Sequence, residues 1–136
     1  NDRVDIAMAI DADGVHIGQD DMDCKLARKL LGRDKIIGVS TKTLEESKKA
    51  VEDGADYLGC GAIYSTDTKD TNILSINSLK EIKKNISIPI YGIGGINTEN
   101  ITNELKELLD GVAVVTAILN SHNINKTINE FKIILF

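Results

Sequence analysis

Cysteine is scarce in this chain. The 136 residues hold two, Cys24 and Cys60, too few for a disulfide framework. Neither lies in a Cys-x-x-Cys or Cys-His cluster, so no zinc site is expected. Reduced thiols in a cytoplasmic protein are the simplest reading, with Cys60 a small apolar filler in a strand. Basic charge is also short. Sixteen Lys and Arg against 21 Asp and Glu give a formal net charge of −5, and no basic stripe stands out, which argues against a nucleic-acid partner. No apolar run approaches the roughly 20 residues of a membrane span. The opening Asn1-Asp2-Arg3 does not read as a signal peptide. Ser40, between Val39 and Thr41, has no obvious base, so a nucleophilic triad is not expected. What remains has the composition of one globular domain over residues 1–136.

Five apolar, β-like runs recur: Val15-His16-Ile17-Gly18, Ile36-Ile37-Gly38-Val39, Tyr57-Leu58-Gly59-Cys60, Ile88-Pro89-Ile90-Tyr91-Gly92-Ile93 and Val112-Ala113-Val114-Val115. Their starts lie 21 to 31 residues apart, room for a strand and a crossover helix. The runs do not alternate, which predicts a parallel sheet covered on both faces. Between them lie helical patterns. A short helix is predicted over about Val4 to Ile10. Leu26, Ala27, Leu30 and Leu31 share a face that Gly32 closes. Thr43 and Glu46 form a capping box, and Gly54 ends that helix. Leu79 and Ile82 mark a third helix. Thr98 caps a fourth carrying Ile101, Leu105 and Leu108. Ile124, Ile128, Phe131 and Leu135 mark a terminal one. Asp11-Ala12-Asp13-Gly14, Asp53-Gly54-Ala55-Asp56 and Asp110-Gly111 are turns that feed strands, and their aspartates are assigned no catalytic role.

Reactive side chains gather after the strands: Gln19, Asp20 and Asp21; Ser40; Ser65, Thr66, Thr68 and Lys69; Gly94 and Gly95; Thr116. Chemistry at the carboxyl ends of consecutive parallel strands predicts an α/β fold of the TIM (βα)8 barrel type. Eight strands are needed, and at about 24 residues per unit three more would add on the order of 70 residues. The chain is therefore expected to be a fragment holding the last five βα units. The competing reading is a five-stranded flavodoxin-like sheet, complete in itself.

Three constellations suggest ligands. Gly94-Gly95 follows a strand and lets backbone N–H groups approach an anion, while Asn97-Thr98 would start a helix whose N-terminus favours phosphate. Val115-Thr116 would close that cup, and a plain Gly-rich turn with a capping Thr98 is the competing reading. Asp21 at a barrel rim, with Asp2 after the preceding expected strand, could hold Mg²⁺. Alternatively Asp20 and Asp21 merely start a helix. His16 is read as structural. The hydroxyls and ammonium of Ser65-Thr66-Asp67-Thr68-Lys69 could bind phosphate oxygens, or form a solvated loop.

These segments, in this order, resemble the thiamine phosphate synthase family. The resemblance rests on Asn1-Asp2-Arg3-Val4-Asp5, Asp13-Gly14-Val15-His16-Ile17-Gly18-Gln19-Asp20-Asp21, Ile37-Gly38-Val39-Ser40, Gly54-Ala55-Asp56-Tyr57, Thr66-Asp67-Thr68-Lys69, Gly92-Ile93-Gly94-Gly95-Ile96 and Gly111-Val112-Ala113-Val114-Val115-Thr116-Ala117-Ile118. It implies a (βα)8 barrel that joins hydroxymethylpyrimidine diphosphate to a thiazole phosphate, releasing diphosphate. It implies Mg²⁺ on Asp2 and Asp21, and pyrimidine diphosphate on Asn1, Ser40 and Lys69, with Ser40 and Lys69 as the catalytic pair. It implies thiazole phosphate on Thr66, Thr68, Gly95, Val115 and Thr116. The implied chemistry is dissociative: diphosphate departs and the thiazole nitrogen captures a pyrimidine carbocation, with no protein nucleophile.

There are departures. The family usually has prolines where this chain has Ala62 and Ser65. A Gln-x-Arg-x-Lys segment that grips diphosphate in the family is missing, so this chain alone is expected to be impaired. Thiazole tautomerase and a non-catalytic thiazole-phosphate binding module are the alternatives. Five strands cut from a barrel would have open edges, so self-association is expected as well.

Overall fold

The computed structural model describes residues 1–65 and 72–135. Within them, strands and helices alternate: α1 (Val4–Ala9), β1 (Gly14–Ile17), α2 (Cys24–Leu31), β2 (Ile36–Thr41), α3 (Leu44–Glu52), β3 (Tyr57–Gly61), α4 (Ile76–Asn85), β4 (Ile90–Ile93), α5 (Asn103–Leu108), β5 (Gly111–Ala113), α6 (Thr116–Leu119) and α7 (Ile124–Leu135). Local chemistry sets the helix ends. The Asp23 carboxylate accepts from the Lys25 and Leu26 amides ahead of α2, and Gly32, at φ +78°, closes it. The Thr43–Glu46 capping box of α3 is present in both directions. Ser75 caps α4 through the Ser78 amide.

All five strands are parallel, in the order β1-β2-β3-β4-β5. A flavodoxin-like sheet would run 2-1-3-4-5, so that alternative is excluded. Right-handed crossovers that always advance in one direction place their helices on one face. That face carries Ile17, Val39, Leu58 and Ile90, side by side in register. They are buried with Ala27, Ala50, Leu79, Ile82 and Leu105 of the helices.

The opposite face differs from the expectation of two covered faces. Its residues are His16, Gly38 and Tyr57 in one register row, and Ser40, Gly59, Tyr91 and Gly111 in the next. Large side chains and glycines alternate across the strands because the rings need the vacant space. A β-carbon on Gly38 would stand 2.5 Å from His16 Nδ1, one on Gly59 3.0 Å from His16 Cε1, and one on Gly111 2.9 Å from Tyr91 Cδ1. The glycines made the runs look uniformly apolar and hid the period of two.

The amino-terminal ends of the strands are bound by ionic staples. Arg28 donates to the Gly54 carbonyl from Nε (3.0 Å) and Nη2 (2.8 Å), and to the Gly32 (2.8 Å) and Lys35 (2.6 Å) carbonyls from Nη1. It also pairs with Asp56 at 2.6 Å. Asp56 in turn accepts from the Ile37 amide at 2.7 Å. Asp110 repeats the device two strands on, accepting from the Ile90 amide (2.8 Å) and Lys83 (2.9 Å). Asp56 and Asp110 thus each tie a turn to the neighbouring strand.

Element boundaries correct several expectations. β2 continues through Thr41, so Ser40 lies within the strand. β5 ends at Ala113, and the short α6 follows. Thr98 caps no helix: residues 97–100 form a turn in which Asn97 Oδ1 accepts from the Glu99 and Asn100 amides, and α5 starts after Thr102, whose hydroxyl accepts from Leu105.

Candidate active site

Four strand ends bring the expected residues to the carboxyl rim of the sheet. The Asp2 amide donates to the His16 carbonyl at 2.8 Å, which ties residues 1–3 to the end of β1. Asp2 sits at φ +62°, a conformation Asp tolerates better than most residues. Its Oδ1 accepts from the Asn1 amide group at 2.7 Å. Asp21 folds back after β1, and its Oδ2 accepts from the Gly18 amide at 2.6 Å. Gln19 reaches across to β2 and donates to the Ser40 carbonyl at 2.7 Å. Asn1, Asp2 and Asp21 are exposed. Among the described residues, Asp2 Oδ2 and Asp21 Oδ1 have no hydrogen-bond partner.

Ser40 has a partner the sequence did not reveal. His16 Nε2 lies 2.9 Å from its Oγ, and His16 Nδ1 lies 3.0 Å from the Tyr57 hydroxyl. Tyr91 packs edge-on against Tyr57, with ring centroids 5.4 Å apart. His16 thus joins the site, although sequence reasoning left it structural and saw no base near Ser40. Burial holds the imidazole below its ordinary pKa, against the opposing pull of Asp2 and Asp21. Burial, then the neighbouring Tyr91, raises that of Tyr57, which stays protonated at neutral pH. Tyr57 and Tyr91 were missed. Their signal was the glycine at each paired position, visible only once the register is known.

The loop after β4 is laced to the loop after β3. Tyr64 donates from its amide to the Gly94 carbonyl (3.0 Å) and from its hydroxyl to the Asn100 carbonyl (2.6 Å). Asn100 Nδ2 donates to the Gly95 carbonyl at 2.8 Å. Gly94 and Gly95 adopt φ +92° and +66°, which glycine alone accepts readily. A β-carbon on Gly95 would stand 2.8 Å from Tyr64 Cβ, not in open space. The glycine is therefore required by the loop-to-loop packing as well as by any anion. No helix N-terminus stands at this loop, contrary to expectation, because α5 begins at Asn103. Val115 and Thr116 are exposed at the start of α6, where the first amides of a helix lack intrahelical partners. Thr66, Thr68 and Lys69 lie outside the described residues.

No group of three or more His, Cys, Asp or Glu able to hold a metal occurs among the described residues. Asp2 and Asp21 remain a pair of exposed carboxylates near one strand end. No helix among those residues is long and apolar enough to cross a membrane.

Residues 1–118 match the family model described as thiamine monophosphate synthase. The chain belongs to that family. It is 53% identical over 133 residues to the thiamine-phosphate synthase of Alkaliphilus oremlandii (strain OhILAs), covering 97% of this chain and 64% of that protein. Against the thiamine-phosphate synthase of Clostridium perfringens (strain SM101 / Type A) it is 52% identical over 136 residues, covering 99% and 66%. The solved thiamine phosphate pyrophosphorylase from Pyrococcus furiosus superposes with a TM-score of 0.85 at 38% identity, covering 98% of this chain and 64% of that one. The chain thus spans just under two thirds of the length of these relatives.

Proposed function

We propose that the full-length protein containing this chain is a thiamine phosphate synthase: it joins hydroxymethylpyrimidine diphosphate to a thiazole phosphate and releases diphosphate. The sheet is read as five consecutive strands of a (βα)8 barrel, in support of which stands the unbroken 1-2-3-4-5 order with helices on one face. Family membership over most of the chain and the rim geometry support the activity. The observation that carries it is the meeting of Asp2, Asp21 and Ser40 around the end of β1.

The donor set at that point fits a small hard cation. Asp2 and Asp21 each keep a carboxylate oxygen free of protein partners among the described residues, and Mg²⁺ commonly binds through one or two carboxylates plus waters and phosphates. When bound, such an ion would supply positive charge beside a departing diphosphate. Asn1, Ser40 and Lys69 are assigned to the pyrimidine diphosphate. Thr66, Thr68, Gly95, Val115 and Thr116 are assigned to the thiazole phosphate. In this reading the chain's own residues position two substrates and stabilise developing charge, and no covalent intermediate forms.

The proposal includes a cytoplasmic setting, small-molecule ligands only, and self-association of the isolated chain. Exposed Ile6, Met8 and Ile10 beside β1, and Val115 and Leu119 beside β5, support the last point. A thiazole tautomerase would have no diphosphate for the Asp2–Asp21 pair to serve. The test is incubation of the purified full-length protein with both substrates and Mg²⁺, read by mass spectrometry. Thiamine phosphate is the expected product. Isomerised thiazole phosphate alone, or binding without turnover, would replace the proposal with one of the two alternatives.

A further inference from the structure

We infer that Tyr57, His16 and Ser40 form a directed hydrogen-bond relay whose purpose is to turn the Ser40 hydroxyl proton outward, toward an anionic diphosphate ligand. The inference rests on the proposed function for the identity of that ligand. His16 and Tyr57 are then positioning residues that act through Ser40.

Hydrogen-bond inventory narrows the direction to two choices, and an anionic ligand selects between them. A neutral imidazole has one donor and one acceptor, so two arrangements are open. In the first, the Tyr57 hydroxyl donates to Nδ1, and Nε2–H donates to Ser40 Oγ. The serine proton is then free for the rim. In the second, Nδ1–H donates to the Tyr57 oxygen, and Nε2 accepts the serine proton. Ser40 would then present only lone pairs. A diphosphate oxygen is an acceptor, so only the first arrangement gives it a bond from Ser40. The first also uses the Tyr57 proton, which has no other acceptor among the described residues.

The same geometry argues against a nucleophilic Ser40. In a triad, the imidazole nitrogen away from the serine faces a carboxylate that stabilises the imidazolium. Here it faces a neutral phenol, which offers no such compensation. His16 is placed to give a hydrogen bond, not to remove a proton.

The relay is built rigidly. The imidazole lies in a slot left by two glycines, with a β-carbon position 2.5 Å from Nδ1 on the Gly38 side and 3.0 Å from Cε1 on the Gly59 side. The Tyr57 ring flanks it at 5.5 Å and is itself braced edge-on by Tyr91. The chain brings an imidazole and a phenol from one register row, on β1 and β3, against a hydroxyl from the next row, on β2. A structural histidine would need no such sequence of partners ending at the rim.

Two measurements on the full-length protein test the inference. The first is the ¹⁵N spectrum of the imidazoles. This chain has one other histidine, His122, which is exposed, and the signal lost in His16→Leu assigns His16. The expected result is the Nε2–H tautomer at His16, with the Nδ1 signal moving in Tyr57→Phe. An Nδ1–H tautomer overturns the relay whatever reaction the protein performs. The second is a mutant cycle read by titration with inorganic diphosphate and Mg²⁺ and by turnover. His16→Leu should weaken diphosphate binding by about as much as Ser40→Ala, on the order of tenfold for one hydrogen bond to a charged group. The double variant should lose no more than either alone. His16→Gln, which keeps an N–H near the Nε2 position, should recover most of the loss. Losses that multiply in the double variant, or a His16→Gln as poor as His16→Leu, overturn the inference. Failure of the wild-type protein to form thiamine phosphate would refute the proposed function, while tautomer and diphosphate binding would still decide the relay.

Discussion

Gly38→Ala probes the alternation of rings and glycines that builds the site. The new methyl would stand 2.5 Å from His16 Nδ1 and would also strike the hydroxyl end of Tyr57. Ordinary contact begins near 3.4 Å, so the imidazole must retreat by roughly 1 Å, and overpacking of this kind costs about 1–3 kcal/mol. A retreat of that size would stretch the 2.9 Å bond to Ser40 to about 4 Å, where no hydrogen bond remains. A displacement of about 1 Å can cost on the order of 100-fold in rate. Stability and activity should therefore fall together, measured by urea unfolding and by thiamine phosphate formation in the full-length protein. Adding Tyr57→Leu, which removes the crowded hydroxyl, should restore much of the stability and none of the activity. A Gly38→Ala protein with wild-type unfolding midpoint and turnover would refute the packing account of this face.

Arg28→Met should destabilise the fold by about 2–4 kcal/mol, because the half-buried Gly54 and Lys35 carbonyls lose their donors; urea unfolding reads it, and a loss below about 1 kcal/mol would mean water replaces the guanidinium. The Ile90 amide, and secondly Lys83, hold the Asp110 carboxyl below its usual range, so its stabilisation is full above the unfolded value of about 3.9 and is lost as pH falls through the lower folded one. Asp110→Asn should accordingly shrink the drop in Tm between pH 5 and pH 3, and an unchanged drop would contradict the assignment. Asp21→Asn in the full-length protein should lower Mg²⁺-dependent turnover by about 10²- to 10³-fold through lost leaving-group stabilisation, and unchanged Mg²⁺ dependence would remove Asp21 from the metal site.

Much of the architecture is legible in the residues because local signals and tertiary packing agree. Thr43, Glu46, Gly32 and Gly54 mark helix ends at the observed places, since capping and positive φ are decided within a few residues. The expected strands all form, each within three residues of its expected start. The reading failed where a long-range partner decides. Thr98 and Thr102 are equally good caps in isolation; Asn97 and Asn100, locked to Tyr64 and Gly95, turn the chain first and leave Thr102 the role. His16 looked inert because Ser40 and Tyr57 lie 24 and 41 residues away in sequence. Only the parallel register brings them together, in two adjacent rows.

Aspartate shows how placement, not residue type, divides stability from chemistry in this fold. At the amino-terminal ends of the strands, Asp56 and Asp110 each satisfy a strand amide and a cation at once. In each, Oδ2 takes both bonds, so the charge of the carboxylate is already answered by a cation of the protein. At the carboxyl ends, Asp2 and Asp21 accept one neutral N–H each and pair with no cation among the described residues. The parallel sheet makes this division unavoidable. Its amino-terminal edge receives chain arriving from helices and must be tied shut. Its carboxyl edge releases chain into loops whose conformations are free to hold side chains outward. Substitutions at the first set should therefore move unfolding midpoints with little change in substrate KM. Substitutions at the second should move metal and diphosphate affinity with little change in stability. A variant of Asp56 that selectively lost diphosphate affinity at wild-type stability would contradict this separation of roles.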